Sequence, residues 1–386
     1  MISSRLALLA GYLCPPKVLH LHLRQLSLVN FRNVPGAELH LGNKFNCLVG
    51  NNGAGKTTVL DAVHYLSVCK SFLNAIDTQN IRHDEPFFVL SGTFEKDGTD
   101  EAIHCAMKRE GKKQFKRNKK EYPRLMDHVG LFPSVVISPL DGDLITGGSE
   151  VRRKFLDGVL SQLDRDYLEH LVIYNRVLLQ RNALLKSFAD GQPFDAGQLE
   201  IWDMQLAERG QRIHQRRASF LEGFLEAFQK FYSAIAQGQE QVGIDYESQM
   251  TEGPMEDLLA AAVPRDRAAT HTTVGIHKDD LRFNIDGHPL KRFGSQGQQK
   301  SMLVALKLAQ YAVMREQTGL LPMLLLDDIF DKLDDSRVGQ LLDLVSGPDF
   351  GQILITDTHP ERTAQLLKGE SNVRVFIVAD GNVLGG

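Results

Sequence analysis

Apolar residues alternate with polar ones at Leu19, Leu21 and Leu23, then resume out of phase at Leu26 and Leu28. This is the pattern of a half-buried strand with a bulge where the phase changes. Phe45 to Val49 is a short continuous apolar run, followed by glycines and then by Thr57 to Leu66, so a buried strand, a turn and a helix are predicted in succession. Phe87 to Phe94 and Ala102 to Arg109 predict strands joined at Asp97-Gly98. From Glu150 to about Ala236 the period becomes helical. Leu156, Val159, Leu160, Leu163, Tyr167, Leu168, Leu171 and Tyr174 follow i, i+3, i+4 spacing, as do Trp202, Leu206, Ile213, Phe220, Leu221, Phe224 and Phe228. Gly191-Gln192-Pro193 interrupts the run, which predicts a helical insertion of modest length and not a long coiled coil. Strand character returns at Val242 to Tyr246 and Leu281 to Ile285, with Asp286-Gly287 as a hairpin turn. An amphipathic stretch from Ser301 to Arg315, an apolar strand from Met323 to Leu326 and a last strand from Gly351 to Thr356 complete the pattern.

The turn after Phe45–Val49 reads Gly50-Asn51-Asn52-Gly53-Ala54-Gly55-Lys56-Thr57, a full P-loop in its required strand-to-helix setting. Its glycines let backbone N–H groups turn inward around phosphate oxygens, and the helix N-terminus adds partial positive charge. Lys56 can then reach the β- and γ-phosphates of ATP while the Thr57 hydroxyl ligates Mg2+. Met323 to Leu326 ends in Asp327 and Asp328, at the C-terminal end of a buried strand where ligands of open α/β sheets bind. Asp327 is assigned to Mg2+ through water, and Asp328 to orienting or deprotonating the attacking water. Asp328 stands where ABC heads commonly carry the longer Glu, so slow hydrolysis is expected. Thr57 and Asp327 are 270 residues apart. That separation predicts one nucleotide site built from two terminal segments around a large insertion, the layout of an ABC-type ATPase head.

Ser295-Gln296-Gly297-Gln298 precedes the amphipathic stretch. Alone it reads as a helix cap. Between a P-loop and an Asp-Asp strand it resembles the ABC signature motif, whose Ser and helix N-terminus face the γ-phosphate of a second subunit, so Ser295, Gly297 and Gln298 are expected to complete the site of a head-to-tail homodimer. Lys332-Leu333-Asp334 resembles a D-loop, and His359 stands in the place of the switch histidine, with a solvated loop residue as the alternative.

The chain has 386 residues, 42% of them hydrophobic, and a net charge of −4, so any nucleic-acid binding must come from a local basic patch. The four cysteines, at 14, 47, 69 and 105, show no metal-ligand spacing and suit a reduced cytoplasmic protein. Residues 1–18 hold a brief apolar run without a signal-peptide cleavage site, and no run of transmembrane length follows. An N-terminal extension, disordered, and no membrane association are expected. The predicted fold is α/β: an ABC-type head from 19–149 and 240–386 (lobe I, mixed sheet with helices), with an inserted helical lobe II at 150–239. Lys112, Lys113, Lys116, Arg117, Lys119 and Lys120 cluster on one hairpin and form a candidate phosphate-tracking surface, with a merely solvated face as the alternative. Arg152, Arg153, Arg176, Arg181, Arg212, Arg216 and Arg217 on the helical lobe are secondary candidates.

Several further segments resemble the RecF family of the SMC-like ABC branch over roughly residues 20–360. Leu26-Ser27-Leu28-Val29-Asn30-Phe31-Arg32-Asn33 is similar to the family's opening, Ser138-Pro139-Leu140-Asp141 to its segment before the helical lobe, and Arg152-Arg153-Lys154-Phe155-Leu156-Asp157 to the first turn of that lobe. Gln180-Arg181-Asn182-Ala183-Leu184-Leu185, Gly275-Ile276-His277-Lys278-Asp279-Asp280-Leu281 and Ser295-Gln296-Gly297-Gln298-Gln299-Lys300-Ser301 are more specific. Ser138 departs from the Q-loop Gln of related ATPases. The resemblance implies ATP contacts by Gly50 through Thr58 and by Arg32, ATP-dependent dimerisation on duplex DNA, recognition of gapped DNA with RecR and RecO, and help in loading RecA onto strands coated by SSB. The alternatives are another SMC-like ATPase or a transporter ATP-binding subunit. The Arg- and Lys-bearing lobe favours DNA over a membrane partner.

Overall fold

Strands whose residues are buried on both faces must be covered on both sides, and the central sheet is covered by helices on one face and by a helix backed by a second sheet on the other. The computed structural model describes residues 19–236, 240–329 and 335–385, with side chains at 335 and 336 excepted. The N-terminal extension, Cys14 and the D-loop-like Lys332-Leu333-Asp334 lie outside the described residues. The chain opens with β1 (Leu21–Phe31), β2 (Val34–His40), β3 (Phe45–Val49) and α1 (Lys56–Val68). β4 (Phe87–Lys96), β5 (Thr99–Lys108), β6 (Gln114–Arg117), β7 (Lys120–Glu121) and β8 (Ser134–Ile137) follow. The insertion holds α2 (Asp143–Thr146), α3 (Ser149–Leu163), α4 (Arg165–Ala189) and α5 (Ala196–Ala236). Next come β9 (Val242–Glu247), α6 (Met255–Ala269), β10 (Asp280–Ile285), β11 (His288–Pro289) and α7 (Leu290–Phe293). The last section holds α8 (Gln296–Thr318), β12 (Met323–Leu326), α9 (Asp335–Ser346), β13 (Ile353–Asp357), α10 (Pro360–Leu366), β14 (Val373–Ala379) and β15 (Asn382–Gly385).

The central sheet runs β15-β14-β3-β13-β12-β8, parallel except for the β14–β15 hairpin. Its residues alternate between two cores. Cys47, Val135, Leu324, Leu326 and Ile355 face the core shared with α5 and α8, whereas Leu48, Val136, Leu325 and Leu354 face the core shared with α1 and the second sheet. That second sheet, β2-β1-β4-β5-β6-β7, is antiparallel. α1 is buried all round because it lies between the two sheets, and its Val59, Leu60, Val63, Tyr65 and Leu66 are fully covered. The phase change in β1 is a real irregularity, with a register shift between Leu23 and Gln25 in the β1–β4 pairing.

Two features depart from the sequence reading. α5 continues unbroken for 41 residues, about 60 Å at 1.5 Å per residue, longer than a modest lobe suggests. It packs against α4 along one side and α8 of the head along the other. Secondly, β9, β10 and β11 form a separate three-stranded sheet, and with α6 they pack on α3, α4 and α5. Residues 242–289 were expected to join the head; their apolar faces are instead covered by the helical lobe.

Within that lobe, the arginines singled out as DNA candidates are largely occupied. Arg217, 1% exposed in its side chain, donates to Asp157 Oδ1 (2.7 Å), Asp279 Oδ2 (2.8 Å) and the Ile276 carbonyl (2.9 Å). The fully buried Arg181 binds Asp203, Asp266 Oδ2 (2.6 Å) and Thr272 Oγ1 (2.9 Å). Arg152 forks onto Asp280, Arg153 donates to the Asp279 carbonyl and Arg216 pairs with Asp164. A buried guanidinium needs such partners, so these five hold the lobe together. Arg176 is exposed, and Arg212, also exposed, pairs with Glu208.

Candidate nucleotide cleft and basic hairpin

Register aligns the C-terminal ends of the parallel strands. Val49 lies opposite Asp357, and Leu326 lies between Ile137 and Ile355. The loops that leave these ends therefore meet at one edge, where ligand clefts of such sheets form. A cleft of about 300 Å³ opens there, lined by Arg32, Asn33, Asn52, Gly53, Gly55, Lys56, Thr57, Thr58, Pro139, Asp327, Asp328 and Thr356.

The P-loop forms a tight cradle. A Cβ at Gly50 would sit 2.0 Å from the Val378 carbonyl oxygen, and Gly53 adopts φ +78°, so both positions require glycine. Gly50, Asn51 and Ala54 do not line the cleft, but they shape it. The Gly50 and Asn51 carbonyls accept from Lys56 Nζ at 2.6 and 2.9 Å, and the Ala54 carbonyl accepts from Gly381 N at 2.9 Å. Asn33 donates to the Gly53 carbonyl (2.9 Å) and accepts from Thr58 Oγ1 (2.6 Å), tying the β1–β2 turn to the loop.

The two ends of the sequence meet at Thr57, whose Oγ1 donates to Asp327 Oδ1 at 2.8 Å. Thr356 Oγ1 donates to the same oxygen at 2.9 Å and accepts from Asp328 N at 2.8 Å. Burial pushes the Asp327 carboxyl up from its ordinary value, against the Thr57 and Thr356 hydroxyls, which favour the anion. Asp328 lines the cleft from a left-handed backbone position, φ 49°. No group of three or more His, Cys, Asp or Glu side chains able to hold a metal occurs among the described residues. A Thr hydroxyl beside one carboxylate, open to a phosphate cradle, instead suits Mg2+, which is held by one or two carboxylates plus substrate phosphates. Arg32 adds a cation to the cleft wall. Its Nε has no hydrogen-bond partner, and its Nη1 lies 3.8 Å from Asp61 Oδ2. This donor set fits a nucleoside triphosphate with its magnesium ion.

Ser295, Gly297 and Gln298 do not line the cleft. Ser295 is exposed at the start of α8, where it forms a reciprocal capping box with Gln298: Ser295 Oγ accepts from Gln298 N (3.2 Å) and Ser295 N donates to Gln298 Oε1 (2.7 Å). Gln298 also reaches Glu240, and Gly297 leaves room for the Arg337 guanidinium, 2.9 Å from where a Cβ would be. His359 also stands outside the cleft lining, exposed at the N-cap of α10, with Nδ1 2.8 Å from Thr358 Oγ1.

The basic cluster lies on β6, β7 and the turns that join β5, β6 and β7 at the edge of the second sheet, but its members differ. Lys112, Lys119 and Lys120 are exposed and Lys116 is half-buried. Lys113, 10% exposed in its side chain, points inward and donates to the Cys69 carbonyl (2.7 Å), Asp77 Oδ2 (2.7 Å) and Tyr65 Oη (3.3 Å). Arg117 forks onto Glu101, which also accepts from Asn118 and is held below the usual carboxylate range chiefly by Arg117. Of the six candidate phosphate contacts, Lys113 and Arg117 are therefore engaged within the protein. Lys113 anchors the hairpin, and the charge of Arg117 is matched within it.

Sequence reading missed Asn33, Pro139 and Thr356 in the cleft. Asn33 and Pro139 lie within the family-like segments but carry no motif role of their own; Thr356 reads only as the end of a strand. Only the register of β13 against β12, one residue beyond Leu326 and Ile355, brings it to Asp327.

The RecF/RecN/SMC N-terminal domain family matches residues 22–383. The chain is 49% identical over 364 residues to the DNA replication and repair protein RecF of Phocaeicola vulgatus, covering 94% of this chain and 97% of that one. Its similarity to the protein of the same name from Flavobacterium johnsoniae is also 49%, over 348 residues, 90% of this chain and 97% of that one. A solved structure of the recombination mediator protein RecF-ATP in the RecFOR pathway superposes with TM-score 0.86 at 30% identity, over 95% of this chain and 98% of that one. An Smc head domain from Pyrococcus furiosus shares the fold, at TM-score 0.55 and 14% identity. Near-complete coverage at this identity, on a head whose P-loop is closed by an aspartate from the far end of the sequence, makes the chain a member of the RecF family.

Proposed function

We propose that the chain is an ATP-dependent DNA-binding protein of replication and recombinational repair. It binds duplex DNA and single/double-strand junctions as an ATP-induced head-to-tail homodimer, acts with RecR and RecO, and helps load RecA onto SSB-coated gaps in the cytoplasm. Slow ATP hydrolysis releases the DNA. The observation that carries this reading is the division of the site: Lys56, Thr57, Asp327 and Asp328 gather in one cleft, while the signature-like Ser295 stands exposed outside it.

Lys56 and the loop N–H groups would hold the β- and γ-phosphates, and Thr57 with Asp327 would hold Mg2+. The ion supplies charge neutralisation at the phosphates. Asp328 orients the attacking water and accepts its proton. Ser295 of a second copy, with the partial positive charge at its α8 N-terminus, covers the open side of the cleft. His359 serves as a switch from the strand end beside it. The repair role is supported by the names of the relatives, and ATP by the RecF-ATP structure. No helix among the described residues is long and apolar enough to cross a membrane.

The test is binding to gapped duplex DNA with and without MgATP, alongside co-fractionation with membranes. The reading expects at least a tenfold gain in DNA affinity with MgATP and no membrane fraction. Nucleotide-independent DNA affinity, or partition into membranes, would contradict it.

A further inference from the structure

We infer that the segment between α1 and β4 links the nucleotide cleft to the basic hairpin, with Asp77 and Lys113 as the positioning pair that ties the hairpin to it. The inference rests on the proposed ATP-gated DNA binding and adds the residues through which the two sites communicate.

At the cleft end stands Arg32. Its backbone N donates to the Asn80 carbonyl at 2.8 Å, Arg82 N donates back to the Asn30 carbonyl at 2.9 Å, and Phe31 bridges Ile81. Its side chain reaches the same segment. Nη1 lies 3.8 Å from Asp61 Oδ2 and, with the Asn74 amide oxygen turned toward it, donates there at 3.0 Å. Asp61 is fully buried on α1 and accepts from Ser71 Oγ (2.7 Å) and Phe72 N (3.0 Å), so the segment begins on the carboxylate that faces Arg32. Ser71 Oγ then accepts from Leu73 N and Asn74 N.

At the other end Asp77 accepts from Tyr65 Oη (2.6 Å) and Lys113 Nζ (2.7 Å). The Lys113 ammonium also lies 5.1 Å from the centre of the Tyr65 ring and binds the Cys69 carbonyl. Lys113 sits at the root of β6, next to Lys112 and three residues before Lys116. Asp77 lies three residues from both Asn74 and Asn80, the two points at which Arg32 holds the segment, so the backbone between them joins the Arg32 end to the Lys113 end.

An anion in the cleft competes with Asp61 and Asn74 for the Arg32 guanidinium. The 3.8 Å approach to Asp61 is long for an ion pair, so it yields first. Altered hold on Asp61 shifts the segment that starts there, and with it Asp77 and the lysine seated on it. A coupling energy between two sites is shown by differential affinity and not by proximity, which sets the form of the experiment.

The duplex DNA dissociation constant is measured with and without MgATP, and its ratio compared across wild type, Asp77→Asn, Lys113→Met, the double variant and Lys113→Arg, with ATP affinity measured in each. The expected result is a ratio of tenfold or more in wild type that falls below twofold in Asp77→Asn and Lys113→Met. The double variant falls no further, Lys113→Arg recovers most of the ratio, and ATP affinity stays within twofold throughout. A ratio preserved in both single variants overturns the inference and leaves the function standing. A ratio lost only together with ATP affinity also overturns it, because the pair would then merely support the cleft. A wild-type ratio of one contradicts the proposed function itself, and the link falls with it.

Discussion

Asp328 and Lys56 line the same cleft yet answer to different parts of the chemistry. Asp328 hangs from a left-handed turn fixed by its own N–H to Thr356, so an amide in its place keeps the backbone geometry and loses the carboxylate's charge and its ability to accept a proton. Asp328→Asn is expected to bind ATP as wild type does and to hydrolyse it about 10² to 10⁴ times more slowly, measured by phosphate release; unchanged turnover would move the base elsewhere, with His359 the next residue to change. At this scale the sequence was clear wherever spacing itself carried the chemistry, as in Gly50 through Thr57. It was opaque wherever a residue's role depended on a distant partner. Nothing in the letters around Lys113 says that Asp77 waits for it 36 residues away, and nothing near Arg217 announces Asp157 and Asp279.

Among the elements, the family-like segments 152–157, 180–185 and 275–281 join with Arg217 and Asp266 in one network. Arg153, Arg181 and Arg217 are met by the carbonyl and carboxylates of the 266–280 stretch, which pins β10 and α6 to the helical lobe. Removing a guanidinium strands buried carboxylates, so Arg217→Met is expected to cost about 3–5 kcal/mol by urea unfolding; a change under 1 kcal/mol would deny the network its structural role. A second anchor is His128, fully buried, with Nε2 2.7 Å from the Leu66 carbonyl and Nδ1 3.0 Å from Tyr122 Oη. Burial holds its imidazole down to about 4 from 6.5, against the pull of the Leu66 carbonyl. The native protein stays unprotonated there while the unfolded chain takes up a proton, so this contribution is complete above pH 6.5 and is lost as pH falls toward 4, on the order of 3 kcal/mol in all. His128→Asn should flatten the urea midpoint between pH 7.5 and 4.5; an identical slope would contradict this. For the hairpin, the exposed or half-exposed set Lys112, Lys116, Lys119 and Lys120 replaces the row read from sequence. Changing all four to Ala is expected to weaken duplex binding alike across sequences and to lower the slope of log K against log salt by roughly 0.9 for each phosphate no longer neutralised. An unchanged slope would return the hairpin to a solvated face.

For the molecule as a whole, alternation revealed the opening strand, continuous apolar runs revealed the buried central strands, and the 270-residue separation of Thr57 and Asp327, with a helical period between them, revealed the large insertion. The length of α5 and the allegiance of β9 to β11 were hidden, since pattern reports which face is buried and not which neighbour buries it. The central claim is that one copy of the cleft is incomplete without Ser295 from another. The measurement that tests it most directly is solution mass with saturating MgATP, by light scattering, on wild type, Lys56→Met and Ser295→Arg, with nucleotide binding followed in parallel. Wild type is expected to double its mass, Lys56→Met to lose both ATP binding and the doubling, and Ser295→Arg to bind ATP within a few-fold of wild type while remaining monomeric. A wild type that stays monomeric with ATP bound, or a Ser295→Arg that loses ATP binding as completely as Lys56→Met, would contradict the head-to-tail site.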